Sequence, residues 1–326
     1  MKQNKKNCLT SMQASLLPIL HLLIITSNLR TYYAHLKGSP EYHRRSFSLM
    51  VPLSAASPDT TSSITFSSKP VLLKSIVNAL VSFAPLFTIM KLASRGTLIK
   101  TAEKDGIPWT SMEDHLIQNN EKLKYYFSEI ENAAVTYPKY YVQQFHGYDD
   151  GNLNWKAAYE CESAAKVLAA RTYAELNLNV DAAFDRMRTS FTNSIKSYAL
   201  QYRSAAFNTI ADIGCSVGIS TFYLARAFPS VEKLDAYDLS PYFLAVAKYR
   251  QNVVLDESFI AQEDKQLLWP HLSNFPASSI SKIRWLHSNA ENMKDAASES
   301  YDLMVLSSVL HELPQVGQRT TKQYDF

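Results

Sequence analysis

The segment Ile210 to Gly218, IADIGCSVG, constrains this chain more than any other. Phe207, Ile210, Ala211 and Ile213 form a short apolar run that stops at Gly214, which predicts a buried parallel strand ending at the tight turn Asp212-Ile213-Gly214. Gly218 then precedes Phe222, Leu224, Ala225 and Phe228, which mark a helix closed by Pro229. A strand, a tight turn and a helix in that order belong to a parallel α/β sheet. The chain has only 8 glycines in 326 residues, so two of them in one short turn call for a physical reason. Glycine reaches positive φ and lets a ligand come close to the backbone. A helix N-terminus beside such a turn adds unpaired N–H groups and a positive dipole end, a seat for a carboxylate.

The downstream pattern extends the sheet. Lys233 to Leu239 (KLDAYDL) reads as a second strand, and Asp238 lies about twenty residues after Gly218, where an acid accepts hydrogen bonds from ribose hydroxyls. A helix from Pro241 to Asn252 follows, with proline at its first turn. Ile283 to His287 (IRWLH) reads as a third strand, followed by Asn289-Ala290-Glu291, and Tyr301 to Ser307 (YDLMVLS) as a fourth, followed by a helix from Val309 to Pro314. A dinucleotide-binding G-x-G-x-x-G started at Gly214 needs glycine at position 216 and glycine or alanine at 219. Ser216 and Ile219 fail both requirements.

An acid two residues before the first glycine and a last glycine four residues on resemble motif I of the class I S-adenosylmethionine (SAM)-dependent methyltransferases, with Ser216 in place of the usual middle glycine. Asn289-Ala290-Glu291 resembles the family's Asp-Ala-Glu type of sequence near the adenine. The ordered set DIGCSVG, YDLSPYFLAVA, NAE and YDLMVLSSVLHELP is more specific than any of its parts. The nearest likeness is a plant plastid group of class I methyltransferases of uncharacterised substrate, which carry an aromatic loop similar to FHGYDDGNLNW; it covers Val71 to Gln315. The resemblance implies an α/β Rossmann-like class I methyltransferase sheet, incomplete at its C-terminus, with a helical N-terminal extension. It implies SAM as cofactor, with Asp212, Gly214, Cys215, Ser216 and Gly218 at the methionyl end and Asp238, Leu239, Asn289, Ala290 and Glu291 at the nucleoside end. The reaction it implies is in-line attack of an acceptor nucleophile, here on an unidentified small molecule. Ser307-Ser308-Val309 stands where amino methyltransferases of nucleobases carry an Asn/Asp-Pro-Pro-aromatic motif, which disfavours that substrate class. The fifth to seventh strands of the family's sheet have no counterpart after the fourth, so the alternative reading is a SAM-binding or interaction remnant without turnover.

The preceding residues, 69–205, read as a helical extension or lid. Ser111 onward is helical up to Tyr137-Pro138, and further helices are expected over Ala157–Leu176 and Asp181–Tyr202. Between them, Tyr140 to Trp155 packs aromatics and carboxylates around Gly147 and Gly151, either a substrate lid or a corner between helices. His146 and Tyr148 in that loop, and His311 after the fourth strand, are the weak candidates for a catalytic role. Val71 to Leu92 reads as an amphipathic helix interrupted by Lys74 and Pro85, packed on the protein or in peripheral membrane contact.

Residues 1–68 read as a transit peptide. Lys2, Lys5, Lys6, Arg30, Lys37, Arg44 and Arg45 face Glu41 alone before residue 59, in a stretch rich in serine and threonine. Chloroplast import is the expectation and mitochondrial import the alternative; the apolar run Leu16 to Ile25 is the weaker argument for secretion. The whole chain carries only +3, so the remainder is acidic and shows no basic footprint for nucleic acid. Cys8, Cys161 and Cys215 have neither disulfide nor metal-ligand spacing. Residues 206–315 are thus read as a partial SAM-binding domain and 316–326 as an irregular tail.

Overall fold

Apolar strands buried on both faces need helices or loops on each side, and the sheet meets that demand with four parallel strands. The computed structural model describes residues 84–143, 148–202, 206–268, 275–293 and 300–309, with backbone only for 84–92. They all lie in one compact unit, Met50–Phe326; a second unit, Met1–Leu49, lies outside the described residues. The expected transit segment, the stretch from Val71 to position 83, His146, His311 and the tail from 316 also lie outside them.

The strands are β1 (Thr209–Ile213), β2 (Lys233–Asp238), β3 (Ile283–His287) and β4 (Leu303–Val305), in the order β3-β2-β1-β4. Asp212 pairs in register with Ala236 on one side and Val305 on the other, and Asp238 pairs with His287. The chain leaves β1 toward β2 and returns on its opposite side as β4. A crevice therefore opens at the carboxyl ends of β1 and β4, the place where open α/β sheets bind ligands.

Nine helices are described: α1 (Ala84–Lys104), α2 (Trp109–Gln118), α3 (Asn120–Ile130), α4 (Trp155–Thr172), α5 (Val180–Tyr202), α6 (Ile219–Ala227), α7 (Pro241–Leu255), α8 (Gln262–Leu268) and α9 (Ala277–Ile280). Helix α1 runs on to Lys104, past the end expected at Leu92. The helix expected up to Leu176 ends at Thr172; a single 3₁₀ turn follows, and Asn177 terminates it with φ 50°. In the described part no helix is long and apolar enough to cross a membrane.

Seven consecutive residues of α6, Ile219 to Ala225, are buried, which means the helix is covered on its outer side as well as by the sheet. The cover comes from the front of the chain. Leu116, Leu123, Phe184 and Ile195 share one apolar cluster with Phe222, Leu244, Ile210, Leu234 and Trp285. The helices before β1 thus complete the sheet's own core on this face. The other face gathers Ala211, Ile213, Tyr237 and Met293, with Leu286, Ala290 and Met304 against them.

Candidate cofactor site

The turn after β1 alternates left-handed residues: φ is 70° at Gly214, 52° at Ser216 and 83° at Gly218. Ser216 therefore takes a left-handed backbone of the kind that favours glycine. A non-glycine residue there costs about 1–2 kcal/mol, and two contacts hold it. Its N–H donates to Asp238 Oδ2 at 2.8 Å, and its hydroxyl lies 3.1 Å from Cys161 Sγ on α4. The N–H groups of Gly214 and Cys215 converge on the Tyr237 carbonyl at 2.7 and 2.9 Å, closing the turn onto β2. Cys215 is buried, which pushes its thiol well above the usual range.

The two glycines take the positive φ expected of them and also sit in tight packing. A Cβ on Gly214 would lie 2.3 Å from Val309 Cγ2, and one on Gly218 would lie 2.6 Å from Trp285 Cη2 and 3.0 Å from Ala247 Cβ. The space that each lacks a side chain to fill is taken by protein. Their absence of Cβ lets the turn pack against the residues after β4 and against β3 and α7.

Asp212 is fully buried, and its Oδ2 accepts from the hydroxyls of Ser220 and Thr221, both at 2.7 Å. It ties β1 to the first turn of α6, where a negative charge also suits the helix dipole. Its Oδ1 is buried without a hydrogen-bond partner. Burial raises the carboxyl's pKa, against the two hydroxyls and the charge of Arg188.

Asp238 differs from the free ribose acceptor expected. Oδ2 already takes the Ser216 N–H and Oδ1 the Ser240 N–H, each at 2.8 Å. The carboxylate thus ties the turn after β1 to the first turn of α7.

At the end of β3, His287 organises the neighbouring strand end. Asn132 N–H donates to its Nδ1 at 2.9 Å, so Nδ1 is unprotonated and Nε2 carries the hydrogen. Nε2 lies 3.2 Å from both the Leu239 carbonyl and the Tyr137 hydroxyl, and burial holds the ring's pKa below its ordinary value. Asn289 Oδ1 accepts from Glu291 N–H at 2.8 Å, so that side chain shapes its own turn. Ala290 packs on the sheet face with Ile213 and Tyr237. Glu291 accepts from the Tyr140 hydroxyl, and that bond together with burial raises the phenol's pKa. Ser240 Oγ donates to the Asn152 carbonyl at 2.7 Å. The loop between α3 and α4 thereby spans the ends of β2 and β3.

Tyr148 donates to the Glu160 carboxylate, which is paired with Arg95, and burial pushes its phenol up to about 12. That proton is committed to a neighbouring carboxylate. The sequence reading missed the charged pair behind the turn. Arg250 on α7 reaches Glu162 on α4 at 2.6 Å, both essentially unexposed, and its other nitrogen donates to the Val217 carbonyl at 3.0 Å. Charged residues on helix faces that are otherwise apolar were the available signal.

Residues 211–322 match the family described as a methyltransferase domain. No curated protein matches the chain. Among solved structures, the plantazolicin methyltransferase BamL, in complex with a triazolic desmethylPZN analog and SAH, is similar at 17% identity and a TM-score of 0.23. The likeness spans 43% of this chain and 44% of that one, less than half the length of either. The parallel order β3-β2-β1-β4 and the left-handed turn after β1 lie in the stretch, about a third of the chain, over which it is similar to the methyltransferase domain family.

Proposed function

We propose that the chain is a SAM-dependent methyltransferase acting on a small-molecule acceptor. The observation that carries this reading is the buried, unpartnered Asp212 Oδ1 beside the left-handed turn, at the carboxyl end of the central strand. An unmet acceptor of that kind suits a ligand ammonium group. Bound SAM supplies an activated methyl group on a sulfonium.

The protein's part is to hold and orient. The turn from Gly214 to Gly218 and Asp212 are suited to the methionyl end, and the carboxylate of Asp238, at the carboxyl end of β2, to ribose hydroxyls. The Asn289 turn and Leu239, both at the carboxyl ends of β2 and β3, would border the base. Methyl transfer needs alignment and exclusion of water more than acid or base help. Tyr137, Tyr140 and Tyr141 on the loop above the strand ends supply apolar faces suited to a small acceptor.

Isothermal titration of the full chain with SAM, followed by transfer of labelled methyl into a small-molecule extract, tests the proposal. Asp238→Ala is expected to weaken SAM binding about tenfold or more. Absence of SAM binding by the full chain would remove the reading, and binding without transfer would leave a SAM-binding role instead. Chloroplast import belongs to the same proposal, supported by the basic, acid-poor segment before Asp59. An intact Met1 on protein purified from plastids would refute it.

A further inference from the structure

The segment from Glu131 to Gln143, which follows α3, is held to the sheet by hydrogen bonds and not by packing. None of its residues is fully buried, so it brings no side chain to the core. Its backbone bonds are local: Val135 N–H donates to the Asn132 carbonyl at 3.0 Å, and Tyr141 N–H to the Pro138 carbonyl at 2.9 Å. Ala134 N–H donates to Asn132 Oδ1 at 3.0 Å. A piece with so little apolar burial belongs to the low-stability end of a fold. Two residues at and beyond the end of β3 nevertheless fix it across the carboxyl ends of β2 and β3. Asn132 N–H donates to His287 Nδ1 at 2.9 Å, the Tyr137 hydroxyl lies 3.2 Å from His287 Nε2, and the Tyr140 hydroxyl donates to Glu291. The Tyr137 ring neighbours both Tyr141, stacked at 6.3 Å between centroids, and the imidazole at 5.9 Å.

The tie to Asn132 depends on the state of one nitrogen. Nδ1 must be bare to accept that N–H, and Nε2 then carries the hydrogen for the Leu239 carbonyl. A proton added to Nδ1 sets two donors face to face, and the tie is lost. The Nε2 bond to Leu239 survives, so the ring stays on the sheet while the segment is let go. Glu131 at the end of α3 and the Leu239 carbonyl favour the charged ring, and burial opposes it and prevails. Asp238 stands beside His287 in register on β2, and Tyr137 is faced by Glu131 and by Tyr242 of α7.

We propose that residues 131–143 form a strap over the ends of β2 and β3, closed by neutral His287 and opened when Nδ1 takes a proton, and that its opening sets the rate of ligand exchange. The identity of the ligand, the cofactor and its demethylated product, rests on the proposed function, which puts the nucleoside end at these strand ends. The strap itself does not depend on that reading.

The test uses the full chain in three forms: wild type, His287→Asn and His287→Phe. In His287→Asn the amide Oδ1 takes the place of Nδ1 and accepts from Asn132 N–H at every pH; His287→Phe keeps a ring and has no acceptor. Two quantities are measured from about pH 7.5 to about pH 5, across the ordinary histidine range. The first is amide hydrogen exchange of residues 131–143 without ligand, compared among the three forms at each pH, with the amides of β1 as the control for global unfolding. The second is the dissociation rate of S-adenosylhomocysteine. Loss of the tie should speed both about tenfold. His287→Phe should be fast throughout, His287→Asn slow throughout, and the wild type should pass from slow to fast as pH falls. A wild type that keeps a constant ratio to His287→Asn across this range, or segment amides that exchange alike in all three forms, would overturn the strap. A dissociation rate that ignores a strap seen to open would overturn its control of exchange. A chain that binds no S-adenosylhomocysteine at any pH would overturn the methyltransferase reading, and the exchange comparison would still decide the strap.

Discussion

Replacing Arg250 with methionine tests the link between the front helices and the cofactor turn. Arg250 is 1% exposed and Glu162 fully buried, with 2.6 Å between them, so removing the cation strands a carboxylate inside the protein. Breaking a buried pair from one side costs about 3–5 kcal/mol. The Val217 carbonyl loses a charge-assisted bond as well, about 1.5–3 kcal/mol when counted alone. Lys166, 3.6 Å from Glu162, remains to offset part of the charge, which places the expectation near 3–5 kcal/mol in total and not at the sum. That is a large share of the roughly 5–15 kcal/mol that holds a folded domain together. Urea unfolding followed by circular dichroism reads the loss directly. The double variant Arg250→Met with Glu162→Met should recover most of it, because no charge is then left behind. A loss below about 1 kcal/mol in the single variant, or no recovery in the double, would refute the claim that this pair is desolvated and coupled.

Gly218→Ala combines a left-handed backbone penalty with a collision against Trp285 and Ala247. It should cost about 2–5 kcal/mol in the same unfolding experiment, and a cost below about 1 kcal/mol would contradict the packing described. Ser216→Gly relieves a residue at φ 52° but frees the unfolded chain, so stability should stay within about 1 kcal/mol and SAM affinity should persist; lost affinity in calorimetry would show that the hydroxyl itself takes part in binding. His115 and His287 both have pKa values held by burial below the ordinary 6.5. The unfolded chain therefore binds their protons first, and their contribution is complete above pH 6.5 and lost as pH falls from there through the folded values. Asp212, raised by burial, pulls the other way, so the comparison that isolates the effect is wild type against His287→Gln. The urea midpoint should fall on acidification less steeply in the variant, and an equal or steeper fall would refute the assignment of His287 as a buried neutral ring.

Local sequence determined the strands and the turn because their causes are local. Apolar runs closed by glycine or by an acid marked β1 and β2, and the spacing from Asp212 to Gly218 pointed to the class of sheet before any packing was known. Ser216 shows the limit of that reading. The sequence showed a missing glycine, while the folded chain shows a left-handed backbone of the kind that favours glycine, because Asp238, 22 residues on, and Cys161, 55 residues back, hold it there. The short helices α8 and α9 had no pattern long enough to be read. The continuation of α1 from Leu92 to Lys104 was not read from the sequence. Tertiary structure alone decided that the front helices complete the core, that Arg250 pairs with Glu162 across 88 residues, that Val309 and Trp285 fill the space above the glycines, and that the Nε of Arg188 is buried without a hydrogen-bond partner. Burial and pairing depend on which distant residues arrive at the same place, and periodicity along a chain carries no record of that.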